Sequence, residues 1–294
     1  SKWQVGRRPI VILGHGRSGT SWVGRIISAA RRVLYYFEPL HPSRTGDDRL
    51  AGWFRYARPG DEDEAMARAF DPVFAGEESP ARAWNRSAWH RWLPGYRVAV
   101  KDVAALMAAE WLAERYDPQV VFVVRHPCAV ILSELQQGTP AEQSLATVLA
   151  QEKLVADHLA AYASSLERAG SEIEKLAAVW AARHRVVANG LQRHPEWQVV
   201  YYEDLCADPL VQFRRLFADL DLRWSNALAA YVTGHSETDE VGMYATRKVS
   251  RRQIDKWKAL MSTKDIERVR HITRALGIPF YQDQDAWTLT RFLA

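Results

Sequence analysis

The sequence predicts an α/β fold: a doubly wound parallel sheet of about five strands flanked by helices, with helical insertions. Three observations lead there. Five short strand-like runs recur, at residues 9–13, 32–37, 96–101, 119–124 and 197–202. Helical stretches separate them, so consecutive runs join by crossovers and pair in parallel. A glycine-rich turn, GHGRSGTSW at residues 14–22, directly follows the first run.

The elements follow in order. Pro9–Leu13 is the first strand, and after the turn a helical stretch runs from Thr20 to Ala30. RVLYYF is the second strand, closed by Glu38-Pro39. YRVAVK alternates into a third, followed by an Ala/Leu-rich helix near 103–116. QVVFVV is apolar throughout, as a central parallel strand covered on both faces must be. Pro127 opens the next helix at its tolerated first position. WQVVYY is the fifth strand, and Pro209 opens the helix after it. We read residues 1–294 as one domain, with 40–95 and 141–190 as mostly helical coverings. Ser171 and Glu174 have capping-box spacing in the second of these. Trp53, Trp84, Trp89, Trp92 and Phe54 in the first read as core packing before a substrate platform. The polar, non-periodic stretch 234–252 ends basic and is either a mobile lid or a surface loop.

Composition narrows the partners. In 294 residues, 48% hydrophobic and 25% charged, the net charge is only +4, from 39 Lys+Arg against 35 Asp+Glu. That balance does not suit a non-specific nucleic-acid binder, so the basic excess is expected around a local polyanion. Two cysteines make no disulfide framework, and neither they nor the nine histidines show metal-ligand spacing, so no metal is expected. No run of about 18 apolar residues offers a membrane span, and the opening SKWQVGRRP lacks a signal-peptide core. The expectation is a cytoplasmic protein without membrane partners. Its Ala and Arg content suits a high-GC bacterial gene.

In a doubly wound sheet, ligands sit beyond the carboxyl ends of the strands. Gly14–Ser21, Glu38, Lys101 and Arg125 should therefore converge on one cleft. A glycine turn from strand to helix aims backbone N–H groups at one point, and the helix dipole adds positive potential. The hydroxyls of Ser18, Thr20 and Ser21, the turn at Gly19 and the guanidinium of Arg17 complete an anion cradle. Two departures separate it from an ATP loop. Thr20 stands where the lysine of such a loop belongs, and the strand ending at Val124 leads into Arg125-His126-Pro127 rather than the acid that would hold Mg²⁺. Arg125, with Ser133 eight residues on, is expected to make a second phosphate site; the other reading is an ion-pair arginine and a helix-face hydroxyl.

The segments GRSGTSW, VVFVVRHPCAVILS and YYEDLCADP together resemble the PAPS-dependent sulfotransferases, whose donor, 3′-phosphoadenosine 5′-phosphosulfate, carries two separate anionic groups. The resemblance implies a P-loop-containing fold and PAPS as co-substrate, with PAP as product. It implies that Arg17, Ser18, Gly19, Thr20 and Ser21 hold the 5′-phosphosulfate and that Trp22 flanks the adenine. Arg125 and Ser133 would bind the 3′-phosphate and Tyr202 would contact the adenine, unless it is a buried strand tyrosine. A late basic loop closes the 3′-phosphate site in the family; Arg247-Lys248 and Arg251-Arg252 compete for that role, with Trp257 anchoring its end. YYFEPLH resembles the glutamate-bearing segment of carbohydrate-type members. Glu38 is thus the candidate general base, since a crowded, partly desolvated cleft raises a carboxylate pKa towards working pH; the other reading is a partner of Arg17 that shapes the loop. His41 is the rival base. Lys101 fits a cation that stabilises the bridging oxygen or the sulfuryl group, or else a solvated strand end.

Three functions remain open at this point. The first is sulfuryl transfer from PAPS to a hydroxyl of a glycan or of a small-molecule or natural-product acceptor. The second is a P-loop small-molecule kinase using ATP, disfavoured by Thr20 and Arg125. The third is a non-catalytic binding module, which would keep the cradle without needing Glu38.

Overall fold

Side chains alternate across each strand. In β1 (Ile10–Gly14), Ile10 and Ile12 turn to one face of the sheet and Val11 and Leu13 to the other, and all four are buried. The same division holds for Val33 and Tyr35 against Leu34 and Tyr36 in β2 (Val33–Phe37). It recurs for Val121 and Val123 against Val120, Phe122 and Val124 in β4 (Gln119–Val124). Burial on both faces is why these runs are apolar along nearly their whole length. With β3 (Arg97–Lys101) and β5 (Gln198–Tyr201) they form one parallel five-stranded sheet, in the order β2-β3-β1-β4-β5. The structure is a computed structural model and describes residues 7–41, 54–77, 96–237 and 254–287.

Helices cover both faces. α1 (Thr20–Ser28) follows β1, α2 (Glu64–Phe74) precedes β3, and α3 (Ala109–Tyr116) precedes β4. After β4 come α4 (Pro127–Gln136), α5 (Ala141–Leu149) and the long α6 (Glu172–Arg193), which leads into β5. The chain continues through α7 (Tyr202–Ala207), α8 (Pro209–Asp219), α9 (Asn226–Glu237), α10 (Lys256–Leu260) and α11 (Thr263–Ala275). Trp22, Val23 and Ile26 of α1, Phe213 and Phe217 of α8 and Val232 of α9 pack on the Ile12 face. Helices α2 to α6 and α11 supply the cluster on the Leu13 face.

Three boundaries differ from the sequence reading. The helix expected from 103 begins as a 3₁₀ turn at Leu106–Ala108 and becomes α-helical at Ala109. Tyr202, read as the end of the fifth strand, is the first residue of α7. Residues 141–190 are not one helical run: short pieces, including a π-helical turn at Val155–Leu159, separate α5 from α6. The break before α6 is the capping box itself, in which Ser171 Oγ accepts from Glu174 N–H (3.3 Å) and Glu174 accepts from Ser171 N–H (2.9 Å). Trp53, Trp84, Trp89, Trp92, Arg247, Lys248, Arg251, Arg252 and most of the 234–252 stretch lie outside the described residues. No helix among the described residues is long and apolar enough to cross a membrane.

Candidate active site

The register sets the site. Gly14 pairs with Val123, Phe37 with Lys101, and Val124 with Tyr201. The loop after β1, Glu38 after β2, Lys101 at the end of β3, Arg125 after β4 and Tyr202 after β5 therefore share the carboxyl edge of the sheet. This is the convergence expected from topology.

Glycine is required twice in the loop. A Cβ on Gly14 would lie 2.6 Å from both Thr20 Cγ2 and the Val123 carbonyl oxygen. Gly19 sits at φ 90°, and a Cβ there would lie 2.4 Å from the Tyr202 ring. Gly19 is also the N-cap of α1; it offers no side-chain cap, and the first turn of α1 carries no acidic residue. The N–H groups at that helix start thus keep their capacity for an anion. Ser18 Oγ is buried without a hydrogen-bond partner among the described residues, a group expected to find one. Thr20 is buried and Ser21 half-buried beside it.

Arg17 ties the loop to α4. Its Nε donates to Ser133 Oγ (3.0 Å), its carbonyl accepts from Arg125 Nη1 (2.8 Å), and the Gln137 amide, turned oxygen-first, lies 3.0–3.2 Å from its guanidinium nitrogens. The two phosphate sites inferred separately are thus contiguous, with Arg17 between Ser133 and Arg125. Arg17 takes a left-handed backbone (φ 67°), as does Glu38 (φ 46°). Such conformations cost about 1–3 kcal/mol each and persist where the surroundings hold them.

The Arg125 guanidinium lies 4.4 Å from the centre of the Tyr202 ring, and its Nε has no partner among the described residues. Trp22 packs edge-on against Tyr202 (6.0 Å) and Phe213 (5.2 Å), so both proposed adenine contacts belong to one buried aromatic wall beside Gly19. Glu203 and Tyr281, which the sequence reading left without a role, brace the backbone next to Arg125. Glu203, buried in the YYEDL segment, accepts from His126 N–H (3.0 Å) and from the Tyr281 hydroxyl (2.5 Å), and burial raises its pKa. His126 stacks on Trp257 at 4.3 Å, which sets Trp257 against the residue that follows Arg125.

Glu38 and Lys101 form a buried ion pair through Glu38 Oε1, with Lys101 only 2% exposed and its ammonium 4.5 Å from the Phe37 ring centre. The counter-ion of Glu38 is therefore the end of the neighbouring strand. Glu38 Oε2 carries no hydrogen bond among the described residues. Asp102, a third residue the sequence reading left without a role, accepts from Leu40 N–H (2.8 Å) and Ala104 N–H (2.9 Å) and so pins the turn after β2 to β3. Burial, reinforced by Glu38, pushes its pKa up to about 7. His41 closes that turn through its backbone N–H to Glu38 O (3.0 Å) and is half-buried.

A further cluster backs the loop. His15 is fully buried, with Nδ1 3.0 Å from the Gly16 carbonyl and Nε2 3.0 Å from Arg183 of α6. Burial, then Arg183, drives its pKa down. Phe54 stacks on His15 and lies under the Arg183 guanidinium at 3.3 Å. Glu134, next to Ser133, is 3.6 Å from His15, and burial lifts its pKa to about 7 against the pull of Arg183 and Arg17. His15 stood in the quoted loop and Glu134 beside Ser133, yet their common partner is 168 residues from His15; no local spacing announces it.

Comparison with known proteins agrees with this architecture. The chain is similar in structure to a sulfotransferase domain from the curacin biosynthetic pathway, at 16% identity and TM-score 0.51 over 92% of this chain and 98% of that one. It is likewise similar to the sulfotransferase domain of the Synechococcus PCC 7002 olefin synthase, at 14% identity and TM-score 0.50 over 93% and 97%. At such identities the likeness speaks for the fold alone. No curated protein matches the chain by sequence. The profile described as "Sulfotransferase family" matches residues 9–226, well over half of the sequence and every strand of the sheet, and the chain belongs to that family.

Proposed function

We propose that this chain transfers the sulfuryl group of PAPS to a hydroxyl of a small-molecule or glycan acceptor, giving PAP and a sulfate ester. The observation that carries the reading is the continuous cationic and hydroxyl surface from the uncapped start of α1, with its orphaned Ser18 Oγ, through Arg17 to Ser133 and Arg125. A donor with two anionic groups fits that surface: the loop seats one, and Arg125 with Ser133 seats the other. The donor supplies an electrophilic sulfuryl group and an anionic leaving group.

The chain's own residues supply positioning and charge. Backbone N–H groups of the loop, Ser18 and Arg17 hold the transferring end. Glu38 accepts the acceptor's hydroxyl proton at Oε2, while Lys101, bonded to Oε1, keeps the carboxylate in place and sets a cation beside the reacting oxygens. Asp102 fixes the turn that carries Glu38. Trp22 and Tyr202 wall the nucleoside end.

Calorimetry with PAP and with ATP–Mg²⁺ tests the donor. PAP binding with weak or no ATP binding is expected; tight ATP–Mg²⁺ binding without PAP binding points to the kinase reading. Arg125→Ala should weaken PAP about ten- to a hundredfold, the worth of a charged phosphate contact, and adenosine 5′-monophosphate far less. Equal losses for both nucleotides defeat the 3′-phosphate assignment.

A further inference from the structure

The amino end of the sheet, the pole opposite the loop, carries a second concave surface. The approach to β1, the starts of β2 and β3 and the turn after α8 enclose a cavity of about 460 Å³, within the range of about 300–1,000 Å³ usual for small-ligand sites. Its charged lining is five arginines, Arg7, Arg31, Arg32, Arg97 and Arg223, and one carboxylate, Asp221.

Arg97 opens β3 and is 4% exposed. Its guanidinium donates to the carbonyls of Arg8 and Leu220 and to the side-chain oxygen of Gln119. All three acceptors are uncharged, so this buried cation has no hydrogen-bonded counter-charge, an arrangement that proteins ordinarily avoid. Burial first, then Arg7, lowers its pKa to about 10, with Asp221 opposing. The carboxylate of Asp221 is itself engaged by Arg7. Arg31 and Arg223 are exposed and make no ion pair or hydrogen bond among the described residues. Arg32 (φ 66°) and Asp221 (φ 53°) both take left-handed backbone at the rim. Glycine adopts that conformation without strain; the cavity keeps an arginine there instead.

Two arginines outside the cavity at this pole are paired, Arg8 with Asp117 and Arg193 with Glu110. The lining of this one cavity thus carries five guanidinium groups against a single carboxylate. Guanidinium forks match phosphate and sulfate oxygens two at a time, and a concave site of this size selects a compact ligand. We propose that this cavity is a second anion site, separate from the donor loop, which takes a compact polyanion bearing two or more phosphate or sulfate charges, of the pyrophosphate type.

The test is calorimetric titration of the full chain with inorganic pyrophosphate in a chloride buffer. It is repeated on Arg17→Ala, on Arg31→Ala/Arg223→Ala and on Arg31→Lys/Arg223→Lys. The wild type should show an event that survives Arg17→Ala, weakens about tenfold or more in the double alanine variant, and recovers in part in the double lysine variant. Both substituted residues are exposed, and circular dichroism confirms that the variants fold. An ADP arm without metal separates the sources of the anion: equal affinity at this event assigns free pyrophosphate, and at least tenfold tighter binding a nucleotide-borne one. The proposal fails if no event depends on Arg31 and Arg223, or if every event weakened in the alanine variant is lost equally in Arg17→Ala.

Discussion

Glu38 and Lys101 are bonded to each other in a buried setting, and this lets their structural and chemical roles be separated. Glu38→Gln removes the proposed base while keeping the shape, so kcat should fall about 10²- to 10⁴-fold with PAP affinity nearly unchanged. Lys101→Met leaves a carboxylate buried without its cation, which should cost about 3–5 kcal/mol of stability. Combining the two substitutions removes both charges and should restore most of that stability while restoring no activity; urea unfolding and steady-state rates report the two quantities separately. Undiminished turnover in Glu38→Gln would remove Glu38 from the chemistry. The sequence named both residues because each closes an apolar run. It could not name their partnership, since that depends on β2 lying next to β3, and strand order is a property of the fold rather than of spacing. The same limit hid the His15–Arg183 contact. Asp102 and Glu203 were hidden differently: each looks like an ordinary acid after a strand until its burial and its backbone N–H donors are seen.

At the level of elements, β1, β2 and β4 were legible because burial on two faces leaves a nearly uninterrupted apolar signature, and the loop because its glycines answer to contacts next door. That second point yields a contrast within a single loop. Gly19→Ala places a Cβ at φ 90° and 2.4 Å from a buried tyrosine ring that is itself stacked against Arg125. It should lower both stability and PAP affinity, with left-handed strain alone worth about 1–2 kcal/mol. Gly16→Ala meets nothing within 4 Å and should change stability by no more than about 0.5 kcal/mol. Thermal melts with and without PAP distinguish the two, and equal behaviour would mean that Tyr202 does not constrain the loop. Boundaries inside the helical insertions were less legible. The α5-to-α6 region carries helical composition throughout, and only the Ser171–Glu174 box gave a local stop-and-start signal. The π-helical turn at Val155–Leu159 has no comparable mark in sequence.

On the scale of the whole molecule, the sheet separates two poles, one bearing the glycine loop and the other the arginine cavity, and the core packed on the sheet holds buried titratable groups. That core gives stability a pH dependence whose sign can be worked out group by group. His184 is buried, stacks on Trp180 at 3.7 Å and donates from Nδ1 to the Trp180 carbonyl (2.7 Å). Burial is the main cause that lowers its pKa from 6.5 to about 3. Between those values the unfolded chain binds a proton at His184 and the folded chain does not. Stability from this group is therefore complete above pH 6.5 and falls as pH drops below it, by up to about 1.4 kcal/mol per unit. Asp102 and Glu134 work in the opposite direction: with folded pKa values near 7 they hold protons that the unfolded chain releases above about pH 4, so acid favours their folded forms. The wild-type profile is the sum of these opposing slopes and by itself assigns neither. Comparison with His184→Gln isolates one of them. The variant should be less stable at pH 7.5, where stacking is lost and no proton is involved. Its deficit should then shrink by about 1.4 kcal/mol for each unit below pH 6.5, so that urea midpoints of the two proteins converge toward pH 4.5. A deficit that stays constant from pH 7.5 to 4.5 would show that His184 is protonated in the folded core as readily as in the unfolded chain.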